Sequence, residues 1–133
     1  MSTTLSDSAL ALLDGKHFAV FASLNADGSP QTSVVWYEWD GEALLFSAMA
    51  HRRKVRNVER DPRVSVTIFD VANPYHSVEI RGKASVSADP ERAMSYQLTH
   101  RYLGEDPPPD PPGTERVIIR VVPSKVVEFA AGS

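Results

Sequence analysis

The stretch HFAVFASLNADGSPQTSVVWYEWDGEALLFSA, His17 to Ala48, decides the fold. From His17 to Asn25 the pattern has period two, with Phe18, Val20, Ala22 and Leu24 on one face and Ala19, Phe21 and Ser23 on the other. Asp27-Gly28 marks a turn. Gln31 to Trp39 then resumes the extended pattern, dividing Val34, Val35, Trp36 and Tyr37 between two faces. Asp40-Gly41 is a second hairpin turn and leads into Ala43 to Ala48. The reading is a meander of three consecutive antiparallel strands.

Downstream, Ser47 to Arg63 (SAMAHRRKVRNVERDPR) holds six of the fourteen basic residues: Arg52, Arg53, Lys54, Arg56, Arg60 and Arg63. They fall where the third strand gives way to a helix with Val55 and Val58 at helical spacing, which Asp61-Pro62 stops. Free N–H groups at a helix start and nearby guanidinium or ammonium groups both favour an anion, so the turn reads as a phosphate site. Charge alone equally allows a solvated basic helix face.

The rest of the chain extends the sheet. Ser6 is an N-cap for a short helix carrying Ala9, Leu10, Leu12 and Leu13, with Gly15 able to end it in the left-handed conformation. Val64 to Phe69 alternates again, Asp70 to His76 reads as a loop, and Ser77 to Val86 is a long strand in which Gly82 marks a bulge or a close approach. Asp89-Pro90 reads as an N-cap followed by proline at the first helical position, opening a helix that ends at Gly104. Glu105 to Gly113 contains five of the ten prolines and is expected to be an exposed, partly ordered loop. Val117 to Val122 is apolar enough to be buried on both faces, and Val126 to Phe129 forms a short last strand after Pro123. Six or seven antiparallel strands favour a mainly β fold, a barrel or sandwich with helices plugging ends, in one domain spanning residues 1–133.

Composition narrows the function. The formal net charge is −3, so nucleic acid or an anionic membrane would meet an unfavourable overall field, and neither is expected as a partner. No cysteine is present, which removes thiol nucleophiles and disulfides. His17, His51, His76 and His100 are scattered without metal-ligand spacing, so no metal site is expected. The start lacks the basic and apolar pattern of a signal peptide and no long apolar run occurs, giving an expectation of a cytoplasmic protein. His51 and His76 border two loops and could move protons; a surface role is the simpler reading of each. Trp36 and Trp39 could stack on a planar ligand or pack in a core or a subunit interface.

Three segments in order carry a resemblance: Pro30-Gln31-Thr32-Ser33-Val34-Val35; Ser47 through Arg52-Arg53-Lys54-Val55-Arg56-Asn57 with Asp61-Pro62-Arg63-Val64; and Val78-Glu79-Ile80-Arg81-Gly82-Lys83-Ala84. With the helix led by Ser6 before them and Arg101-Tyr102-Leu103-Gly104 after, the chain resembles the pyridoxamine 5′-phosphate oxidase-like split-barrel family from about Leu5 to Val127. That resemblance implies a split β-barrel homodimer with a flavin or deazaflavin at its interface. It places the phosphate on Arg52, Arg53 and Lys54, with Ser47 and Asn57 beside it, and the ring along Gln31, Thr32, Ser33, Val34 and Val35. The vitamin oxidases of the family carry arginine where this chain has Ser33. The chain is therefore more similar to the branch that uses the deazaflavin coenzyme F-420, and hydride transfer to an electron-poor double bond is the implied reaction. Tyr75, His76 and His51 are the proton-donor candidates. FMN as the cofactor, or non-catalytic binding of a flavin, deazaflavin or haem, are the alternatives.

Overall fold

A computed structural model describes residues 4–130. Its elements are α1 (Asp7–Asp14), β1 (Phe18–Leu24), β2 (Pro30–Val35), β3 (Glu38–Trp39), β4 (Leu44–Met49), α2 (Arg53–Arg60), β5 (Arg63–Phe69), β6 (His76–Ala88), α3 (Ala93–Leu103) and β7 (Arg116–Ala130). The strands form one antiparallel sheet in the order β2-β1-β5-β6-β7-β4-β3. Alternation is the cause: on β1, β4 and β5 every second residue is buried and its neighbours are not. The inward set includes Phe21, Phe46, Val66, Ile68, Ile80, Ile119 and Val121, each no more than 1% exposed.

The meander is cut in two. β2 pairs with β1, and β3 pairs with β4, but β2 and β3 lie at opposite edges of the sheet. Only Trp36 and Tyr37 separate them. Three peptide steps from Val35 to Glu38 reach roughly 11 Å at most, so the two edges are forced together and the sheet must curl into a barrel. Backbone groups at this crossing have left the ladder and need other partners. Tyr102 Oη on α3 accepts from Tyr37 N–H at 3.3 Å and donates to His17 O. The Tyr37 ring is fully buried, and its hydroxyl donates to Gly15 O at 2.9 Å, with Leu12 O 3.2 Å away. α1 is thereby fixed as a plug, its N-terminus capped by Ser6 Oγ accepting from Ala9 N–H at 3.1 Å.

Several elements differ from expectation. Gly15 ends α1 at φ −75°, in extended backbone and not in the left-handed region; a Cβ there would sit 2.5 Å from the His17 ring. Asp89 does cap α3, but from four residues back: its carboxylate accepts from Ala93 N–H and Met94 N–H, both at 2.9 Å, and Arg92 occupies the N-cap. The two strands expected after residue 116 are one, because β7 runs through Pro123 opposite a register shift at Arg81/Gly82. The shift leaves Pro123, which has no N–H, where no ladder bond is required. β7 is buried on one face only, through Val117, Ile119 and Val121, while Val122 is 43% exposed. Among the described residues no helix is long and apolar enough to cross a membrane.

Gly82 faces Val122 so closely that a Cβ would lie 2.3 Å from the Val122 carbonyl oxygen. Gly82→Ala must push two paired strands apart, and a loss of about 1–3 kcal/mol in urea unfolding is expected; an unchanged midpoint would contradict the close approach. Tyr37→Phe removes a buried donor from the α1 carbonyls and is expected to cost about 1–3 kcal/mol in the same measurement.

Candidate functional site

The basic turn sits between β4 and α2. Helix α2 starts without a side-chain cap: Arg52 at the N-cap has no oxygen to offer, and the first turn contains no acidic residue. Its first N–H groups and the positive end of its dipole are left for an anion. Lys54 is half-buried, and its ammonium pKa is lowered, first by burial and then by the Arg52 charge. Among the described residues, Arg52, Arg53, Lys54 and Arg56 form no ion pair within 4.0 Å. Arg53 is close enough to the β1–β2 turn to lower the Asp27 pKa slightly, behind the larger effect of the Ser29 donors.

The other two arginines of the stretch are occupied. Arg60 donates to Leu24 O, and Arg63 holds Asp61 through Nε at 3.0 Å and a second nitrogen at 2.7 Å. Asn57 is buried, and its amide donates to Ser23 Oγ at 3.1 Å and Asn25 Oδ1 at 3.0 Å. Asn57 therefore fixes α2 against the end of β1 and presents no free amide to a ligand.

β2 is an edge strand paired only with β1, and its register divides it by face. Gln31, Ser33 and Val35 lie opposite Ser23, Phe21 and Ala19 on the inward side and are half-buried. Thr32 and Val34 face out, and Val34 is 67% exposed. Pro30 pairs with Leu24, next to α2, and Val35 with Ala19, so β2 runs away from the basic turn. Ser33 Oγ and Ser47 Oγ are both shielded from solvent with no hydrogen-bond partner. Such groups cost about 1–3 kcal/mol each unless something meets them.

Ser47 opens onto a cleft of about 290 Å³ lined by Val35, Trp36, Leu98, Pro107, Pro108 and Arg116, among others. Trp36 stacks on Tyr102, rings 5.0 Å apart and 9° from parallel, and so forms a flat wall already backed by an aromatic ring. Trp39 packs against the core.

The three proton-donor candidates do not converge in one chain. Tyr75 and His76 follow β5, while α2 precedes it; a seven-residue strand spans about 20 Å. Tyr75 is 68% exposed, and His76 Nε2 is 3.1 Å from Ser8 Oγ with Nδ1 4.0 Å from Asp70. His51 is exposed beside the basic turn and shares a second cleft with Arg56 and Glu115. Among the described residues no group of three His, Asp or Glu side chains could hold a metal.

Sequence reasoning missed the groups that order the proline-rich loop. Asp110 lies between Arg116, which donates to it twice at 2.8 Å, and Arg92, whose Nε is 3.1 Å away. All three side chains are under 20% exposed. No spacing rule links residues 92, 110 and 116; a single acid inside five prolines is the only signal the sequence offers.

These features suit a planar molecule with a phosphate at one end: an uncapped helix start with unpaired cations, an edge strand leading away from it, and shielded hydroxyls without partners. Comparison with known proteins agrees in fold. The F420H(2)-dependent biliverdin reductase of Mycobacterium tuberculosis (strain CDC 1551 / Oshkosh) is 26% identical over 129 residues, 97% of this chain and 91% of that protein. A solved structure described as an F420 reductase superposes with a TM-score of 0.83 at 33% identity, over 92% of this chain and 98% of that one. The conserved hypothetical protein Rv2991 of Mycobacterium tuberculosis superposes at 0.75 with 25% identity, over 96% and 86% of the two chains. The seven-stranded curled sheet is thus a split barrel, and a family profile described as pyridoxamine 5′-phosphate oxidase matches residues 5–129. The chain belongs to the pyridoxamine 5′-phosphate oxidase family.

Proposed function

We propose that this protein is a reductase dependent on the deazaflavin coenzyme F-420, working as a homodimer with the cofactor at the subunit interface. The observation that carries the reading is the start of α2: a half-buried lysine beside an arginine N-cap, with no acid to pair them. Unpaired, partly desolvated cations reduce folding stability, and an anionic ligand would offset that cost. Two relatives, one described as F420H(2)-dependent and one as an F420 reductase, match this chain over nearly its whole length, and the second shares its architecture.

In this reading Arg52, Arg53 and Lys54 hold the phosphate, and Ser47 lies on the strand that feeds the turn. Gln31 to Val35 lie along the ring, where backbone groups and the Ser33 hydroxyl meet its polar edge. Val34, exposed on an edge strand, supports burial against a second copy. Bound reduced deazaflavin would supply a hydride from C5 to an electron-poor double bond of a small organic substrate. The chain orients that substrate against the Trp36 wall and keeps the cleft dry. The accompanying proton comes from solvent or from His51, the one donor candidate at the basic end of the barrel. Ser33 favours the deazaflavin over FMN, because the arginine that the vitamin oxidases use as a further phosphate ligand is replaced by a shielded hydroxyl.

Charge-assisted phosphate contacts contribute about 1.5–3 kcal/mol each. Arg53→Ala with Lys54→Ala is expected to weaken F-420 binding at least about 100-fold, or ~2.7 kcal/mol, in a fluorescence titration. Unchanged affinity would remove the anchor assignment. Because folding lowers the Lys54 pKa, the unfolded chain holds more protons than the folded one between the depressed and ordinary lysine values, so the Lys54 contribution to stability rises with pH across that alkaline window. Lys54→Met is therefore expected to raise unligated stability by about 0.5–2 kcal/mol at neutral pH while weakening F-420 binding. A variant that loses stability instead would contradict the reading of Lys54 as an unpaired cation.

A further inference from the structure

Residues 107–117 border three clefts at once. Pro107, Pro108 and Arg116 wall the Trp36 cleft, Pro112 to Glu115 wall the His51 cleft, and Pro109 to Pro111 with Thr114 to Val117 wall a third of about 600 Å³. Five prolines make the segment stiff, so its position depends on where it is tied. The ties are polar side chains. Asp110 bridges Arg92 and Arg116, Arg92 donates a further bond to Pro108 O at 2.9 Å, and at the start of the loop His100 Nε2 is 2.6 Å from Asp106.

Two observations indicate that the Asp110 tie is a built one. Arg92 adopts φ 58°, the one positive φ at a non-glycine residue among the described residues, and a strained backbone persists only where its surroundings enforce it. Asp89, the other acid whose charge reaches Arg116, is already committed, since both its oxygens accept from the first turn of α3. Without Asp110, two guanidinium groups under 20% exposed would face each other.

The Trp36 cleft, at about 290 Å³, is at the small end of ligand cavities. Val35, Trp36, Leu98, Leu103, Pro107 and Pro108 give it mostly apolar walls. We propose that Asp110 is a specificity-determining positioning residue: by holding the proline-rich loop between Arg92 and Arg116, it fixes the distance from Pro107-Pro108 to Trp36 and restricts the acceptor to a compact, flat, apolar molecule. The acceptor role rests on the reductase reading above; the loop position does not.

The test compares the unaltered protein with Asp110→Asn and Asp110→Glu by two readouts that need no cofactor. One is cleavage by a glutamate-specific protease after the exposed Glu105 under native conditions. The other is quenching of tryptophan fluorescence by cyclohexenone and by a steroid enone. Asp110→Asn is expected to speed cleavage at least about tenfold and to tighten steroid binding by a similar factor, with cyclohexenone binding unchanged or weaker; Asp110→Glu restores the original values. Unchanged cleavage, or an equal change for both enones, would overturn the proposal. Should Asp110→Asn not fold, Arg92→Gln, which cuts one of the two Asp110 ion pairs, decides: a shift in the same direction supports the latch, and none overturns it. F-420 titrated in parallel separates the two claims, since failure to bind it would sink the reductase reading and leave the latch result standing.

Discussion

The structure depends on two residues having to span the gap between the edges of a seven-stranded sheet. Trp36 and Tyr37 join β2 to β3, and because peptide geometry limits their reach, the sheet can satisfy both hairpins only by curling. The crossing then creates its own demands. Tyr37 leaves the ladder and its N–H is met by Tyr102, while its ring fills the core and its hydroxyl secures the end of α1. Arg101, next to Tyr102, donates to Gly15 O at 2.7 Å and lies over the Tyr37 ring. α1 and α3 are thereby held by one crossover, and the Trp36 side chain is left to form the wall of a cleft.

A second constraint is electrostatic and local. The chain as a whole is acidic, yet among the described residues four cations at the start of α2 form no ion pair, while Arg60 is held by the Leu24 carbonyl and Arg63 by Asp61. Pairing thus divides the basic stretch into a part that serves the fold and a part available to an anion. Long-range attraction would not bring a polyanion to a protein of net charge −3, so in the proposed reading affinity comes from short contacts at the turn, of which the one to half-buried Lys54 is the least screened.

Local chemistry was legible in the sequence wherever it was short in range. Alternation gave β1, β4 and β5, Asp-Gly gave both hairpin turns, Ser6 gave the cap of α1, and Gly82 gave both the bulge and the close approach. The barrel crossing was not legible, because Gln31 to Trp39 reads as one extended run with no turn residue in it and pairing partners are a property of the whole sheet. The break falls where a tyrosine finds hydrogen-bond partners on two helices remote in sequence. In the site, charge clustering pointed to the whole basic stretch and the family resemblance to Arg52, Arg53 and Lys54; the structure adds the partners that occupy Arg60 and Arg63 and turns Asn57 inward. Expecting the proline-rich loop to be partly ordered overlooked Asp110, whose partners lie 18 residues before it and 6 after it.

The central claim is that the α2 turn and the β2 edge together hold a phosphorylated deazaflavin. Its most direct test is titration of the ligand-free protein with F-420 and FMN side by side at the same ionic strength. The account predicts saturable binding of F-420 at least about tenfold tighter than FMN. Tighter binding of FMN, or binding of neither above the level of inorganic phosphate, would contradict it.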